Sequence, residues 1–184
     1  MTQAYLDPGT TVNTLWTTNA YTNINKATRQ PTAPSTGTYA DASKSDAGEK
    51  QQWGFTGSSL TNINITSITM WANGKGDSIT PPAPKMSVYV NGAYLTDSTE
   101  VLNTSSQAWY SYTWNGTWNA QNVNNMKMAI TCTPNTVSIG CDVYCAYLDI
   151  TYTDASSGQP TKARFGLCKN FNLFEIGRTG GMIG

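Results

Sequence analysis

The chain has 184 residues, eleven Lys/Arg against eleven Asp/Glu, no histidine, and only 12% charged side chains. Without histidine there is no Ser-His-Asp or Cys-His relay, no imidazole metal ligand and no ordinary base near neutral pH. Zero net charge with scattered Lys and Arg lacks the basic stripe of a nucleic-acid reader, while six Trp, ten Tyr and four Phe supply more apolar ring surface than a disordered chain carries.

In chain order, residues 1–12 read as an N-terminal arm, with Asp7-Pro8-Gly9 inside it. The following pattern alternates with period two, as half-buried strands do. Residues 15–24 carry Trp16, Tyr21 and Ile24; Trp53 and Phe55 sit two apart. Ile63 and Ile65 share one parity, and Ile68, Met70 and Ala72 take the other. Met86, Val88 and Val90 alternate up to Asn91-Gly92, the dipeptide suited to a type I′ hairpin because both turn positions need positive φ. Residues 109–114 form an aromatic run, and residues 121–126 allow one helical turn. Met126, Met128, Ile130 and Cys132 make one face of a strand. Residues 143–152 are apolar on both parities, as expected of a strand covered on both faces. About eight strands with turn signals between them predict an all-β fold, an antiparallel β-sandwich or jelly roll over residues 13–154.

Two polar breaks interrupt the strands, residues 31–48 and residues 73–84; loops this long are usually functional or mobile. Within the second, Asn73-Gly-Lys-Gly-Asp77 lacks P-loop spacing and reads as a tight turn. Residues 155–184 change character and read as an extended C-terminal docking tail. Residues 1–154 hold seven Lys/Arg against ten Asp/Glu, whereas residues 155–184 hold four Lys/Arg against one Glu. The tail therefore sets basic and apolar residues together: Lys162, Arg164, Phe165, Phe171, Leu173, Phe174 and Arg178. They are the expected partner-binding residues, whether the partner is another subunit or the chain's own body.

No catalytic, cofactor-binding or metal-binding residues are expected. The carboxylates fall mostly in loops, and Asp142 and Asp149 have opposite parity in the last strand, which places them on different faces. Cys141 and Cys145, four residues apart on one strand, lie about 13 Å apart, too far for a disulfide; buried thiols are expected. Trp109, Tyr110, Tyr112, Trp114 and Trp118 form the densest ring cluster. They read as core or interface anchors; on an exposed surface, Trp114 and Trp118 beside Asn and Thr would instead form a sugar platform. There is no secretory leader pattern at residue 1 and no apolar run of membrane-spanning length, so neither membrane nor nucleic acid is an expected partner.

Four stretches carry a resemblance: residues 19–25 (Asn-Ala-Tyr-Thr-Asn-Ile-Asn), residues 63–77 with Ala72-Asn-Gly-Lys, Tyr112-Thr-Trp114 with Trp118, and residues 143–153 (Val-Tyr-Cys-Ala-Tyr-Leu-Asp-Ile-Thr-Tyr-Thr). In this order they resemble the jelly-roll modules of tailed-phage virion proteins, capsid decoration (cement) proteins among them. The resemblance spans residues 13–153 and contains no catalytic signature. It implies a structural protein of the virion, assembled in the host cytoplasm, that forms a homotrimer or a dimer and binds the major capsid protein to bridge capsomers. A carbohydrate-binding module of a phage tail or fibre, with a glycan as ligand, is the alternative it leaves open.

Overall fold

The computed structural model of the chain describes residues 1–24, 28–42, 48–55, 60–76, 84–99, 101–102, 105–132 and 140–155. Its strands are β1 (Thr2–Leu6), β2 (Thr10–Thr11), β3 (Ala40–Ala42), β4 (Lys50–Gly54), β5 (Ile63–Gly76), β6 (Lys85–Val90), β7 (Ala93–Tyr94), β8 (Ala108–Asn119), β9 (Lys127–Thr131) and β10 (Cys141–Asp154). A single helical turn, α1 (Ala120–Asn124), joins β8 to β9. One sheet runs β1-β10-β5-β8, with β3 also on β10; the second runs β2-β4-β9-β6-β7. From β3 onward the chain passes back and forth between β3-β10-β5-β8 and β4-β9-β6-β7. That order is the double Greek key of a jelly roll, and the predicted all-β sandwich is the observed fold.

The alternating positions supply the core. Met86, Val88 and Val90 of β6 and Met128 and Ile130 of β9 are buried between the sheets, with Met126 and Cys132 flanking β9. In β5 the core parity changes between Ile65 and Ile68, and there the pairing with β8 slips: Ile65 faces Trp118, but Ser67 faces Asn115. Two residues of β8, Gly116 and Thr117, thus oppose Thr66 alone. This is a β-bulge, which bends the strand and re-aims its side chains. The Asn91-Gly92 hairpin joins β6 to β7 with φ of 53° and 86°. The helical turn α1 is capped by the Asn119 side chain, which accepts from the Gln121 and Asn122 backbone N–H groups.

Three sequence expectations are corrected. Residues 1–12 are not an arm. β1 pairs antiparallel with β10, from Thr2 opposite Tyr152 to Leu6 opposite Leu148, and β2 pairs with β4. Residues 15–24 are not a strand either; they contain an isolated bridge, Thr18 to Asp41, and a 3-10 turn at Tyr21–Asn23. The buried Gln51 side chain takes over the hydrogen bonds a neighbouring strand would have made. Its Oε1 accepts from the backbone N–H of Leu15 and Trp16, and its Nε2 donates to Asn13 O at 2.6 Å. Trp16 and Ile24 can then enter the core, where Trp16 meets Trp53 edge to face at 5.7 Å.

The third correction concerns Asn73-Gly-Lys-Gly. These residues are the last rungs of β5, not a turn. A Cβ at Gly74 would lie 2.2 Å from the backbone oxygen of Asp142, so glycine is required there by close approach of backbone. The break expected over residues 31–48 also contains β3, which pairs with β10 from Ala40 opposite Val143 to Ala42 opposite Cys141.

Candidate functional site

Strand β8 is the edge of its sheet, and its alternation sends aromatic rings to both faces. Tyr110, Tyr112 and Trp114 stand opposite Ala72, Met70 and Ile68 of β5, and so share the core-facing side. Trp109 stands opposite Asn73 and lies on the outer face.

On the inner side a groove of about 450 Å³ opens along the strand edge, lined by Leu95, Thr96, Tyr112, Thr113, Trp114, Asn115 and Trp118. Trp114 is only 7% exposed, its indole N–H donates to Thr96 O at 2.6 Å, and it packs against Tyr112 with ring centroids 4.9 Å apart. As a bare platform it is ruled out. Trp118 is half-buried and is placed by the bulge. A Cβ added to Gly116 would lie 2.5 Å from both Cζ2 and Cη2 of the Trp118 ring. The six-membered part of the indole therefore rests on the Gly116 backbone. No lining side chain carries a charge. Sequence reading named both tryptophans but had no signal for the difference between them, which the hydrogen bond to Thr96 and the bulge create.

The outer face holds a second cluster that sequence reading did not assemble. Tyr147 of β10 stacks on Trp71 of β5 (6.4 Å, 19° between planes) and meets Trp109 and Tyr5 edge to face, each at 5.8 Å. The Arg29 guanidinium sits 4.4 Å from the Tyr147 ring centre and 5.2 Å from that of Tyr5, while Nη2 bonds the Asp7 carboxylate at 2.7 Å. Trp109 Nε1 donates to Thr32 O, and the Gln30 N–H donates to the Tyr147 hydroxyl. Burial pushes the Tyr147 phenol up, partly offset by that N–H and by Arg29. Every ring here already has its partner. The double-parity pattern of residues 143–152 did signal this covering layer; Arg29, far off in sequence, carried no such mark.

The acids do not converge. Asp142 lies between the core residues Cys141 and Val143, and Asp149 between Leu148 and Ile150. Both therefore point away from the core, on the same face. The expectation of opposite faces fails because the core parity of β10 changes between Val143 and Ala146. Seven residues of strand still hold them about 23 Å apart. Asp142 accepts from Tyr144 Oη at 3.0 Å and pairs with Lys75 at 3.2 Å. Asp149 is partly buried with Oδ1 unsatisfied, and burial pushes its carboxyl above the usual range. Among the described residues no three of Cys, Asp and Glu gather where they could hold a metal ion. Cys132, Cys141 and Cys145 are buried thiols.

The chain divides into two units, Met1–Thr153 and Asp154–Gly184. The tail residues Lys162, Arg164, Phe165, Phe171, Leu173, Phe174 and Arg178 lie outside the described residues. No protein-family model matches the chain, and no curated protein does. Among solved structures it is similar to CBM35 from Paenibacillus barcinonensis, at 15% identity and a TM-score of 0.35 over 83% of this chain and 98% of that one. A likeness this distant does not bear on function.

Proposed function

We propose that this chain is a non-enzymatic structural protein of a phage virion, of the capsid-decoration kind, that assembles through an open sheet edge. The observation that carries the reading is β8 itself. Twelve residues long, it forms one edge of its sheet and contains no charged residue and no proline. Edge strands are ordinarily blunted by Lys, Pro, short length or a β-bulge, because unpaired N–H and C=O groups recruit other chains. Residues 111–115 lack those guards, the bulge at Gly116 and Thr117 lying beyond them, and among the described residues β8 is laddered only to β5. Such an edge suits strand addition from a second copy or from a capsid subunit, where main-chain bonds supply affinity and alternate side chains supply fit. Many weak contacts on one shell then add through multivalency. The tail, residues 155–184, is the second contact in this reading.

Charging the edge tests it. The variant Ser111→Lys replaces an exposed residue of β8 with the residue nature uses to guard edges. Light scattering of the wild type should give a multimer of the 19.9 kDa chain, and the variant should run as a monomer. Retention on expanded capsid shells should fall about tenfold or more, a loss of roughly 1.4 kcal/mol. A monomeric wild type that ignores shells, or a charged variant that binds them undiminished, overturns the reading.

A further inference from the structure

The inner groove beside β8 has features that an assembly edge does not need. Its seven lining residues are Leu95, Thr96, three aromatic residues, Thr113 and Asn115. The Trp118 indole is seated on Gly116 by a bulge, with its benzo ring against that backbone and the residue on the groove wall. Among the described residues the Trp118 indole N–H, the Tyr112 hydroxyl, the Asn115 amide and the Thr96 hydroxyl make no hydrogen bond to protein. Rings already locked, such as Trp114 on Thr96 O, stiffen the wall.

We propose that this groove is a binding site for a neutral saccharide, with Trp118 as the stacking ring. A pyranose presents two kinds of surface: a face of C–H groups carrying partial positive charge, and a rim of hydroxyls. The negative π face of an indole attracts the first, and amide, phenol and hydroxyl groups left without protein partners bond the second. With no charge on the wall, nothing balances a carboxylate or sulfate, so the ligand is a neutral sugar. About 450 Å³ falls within the range of small-ligand sites. Gly116 is a positioning residue: any side chain there displaces the ring it supports. This site is independent of the edge reading, since a monomer could hold it.

The experiment uses the full chain on an array of neutral and anionic glycans, followed by calorimetric titration with cellohexaose, xylohexaose, mannohexaose and polygalacturonate. Neutral glycans should bind and polygalacturonate should not. Trp118→Ala should weaken binding about tenfold or more, and Gly116→Ala should do the same with the indole retained. Tyr147→Phe, on the opposite face, should leave affinity unchanged. Because Trp118→Ala could disturb the fold, circular dichroism accompanies each variant, and Gly116→Ala with an unaltered spectrum decides the matter. Silence of all neutral glycans, binding to anionic ones alone, or affinity untouched in folded Gly116→Ala would each overturn the proposal. The Ser111→Lys variant, outside the bulge and the groove wall, can lose assembly while sugar binding persists, so the two readings fail separately.

Discussion

One strand, β8, feeds two aromatic clusters that end in opposite conditions. On the outer face, Trp109 joins Trp71, Tyr147 and Tyr5 under Arg29, and the Trp109 indole N–H, the guanidinium and the Tyr147 hydroxyl all have partners. On the inner side, Tyr112, Trp114 and Trp118 line an open groove with several polar groups unused. Both are built on Trp and Tyr rings. What separates them is saturation: a ring whose face and polar tip are occupied is cement for the fold, and one with both available can receive a ligand. Aromatic density alone therefore says little about function, and hydrogen-bond accounting says more.

The sharpest way to break this comparison is Tyr147→Ala. It removes the ring on which Trp71, Trp109, Tyr5 and Arg29 converge, and should cost about 3–5 kcal/mol in urea unfolding with the groove unaffected in any variant that still folds. Next is Arg29→Met, which keeps the aliphatic stem but removes the cation over two rings and the partner of Asp7. A loss of about 1–2 kcal/mol is expected, part of it screened by salt because the ion pair is partly exposed. Trp118→Ala should show the inverse profile, with about 1 kcal/mol of stability lost because the ring is half-buried and most of the effect on ligand. If Trp118→Ala proves as damaging to the fold as Tyr147→Ala, the contrast between the clusters is wrong.

The smallest effect concerns Asp149. Its folded carboxyl is raised by burial, so the ionised form costs stability above the folded pKa, and the cost disappears once pH falls below the unfolded value. Asp149→Asn should therefore raise the unfolding midpoint modestly at pH 7, and the gain should vanish on acidification. A gain that persists at acid pH would assign it to something other than the desolvated charge.

Much of the sandwich was legible in residue order. The alternation of Met86, Val88 and Val90, the Met126-to-Cys132 face and the Asn91-Gly92 hairpin need only neighbours along the chain, because side-chain period and turn φ are local properties. The change of parity between Ile65 and Ile68 lies in the sequence, but only the pairing with β8 makes it a bulge. The errors have a common cause. Residues 15–24 looked like a strand but are held by the Gln51 side chain; Asn73-Gly-Lys-Gly looked like a turn but is a strand pressed against Asp142 O. Residues 2–6 looked like an arm but find a place on β10.

Local pattern thus settled that two sheets would form and which faces would be apolar. Only tertiary structure decided which backbone groups found distant partners, and which tryptophan, Trp114 or Trp118, kept a wall of the groove available. The physical reason is that burial tolerates any apolar ring of about the right size, whereas a hydrogen bond such as Trp114 to Thr96 requires two specific atoms, eighteen residues apart, within 3 Å.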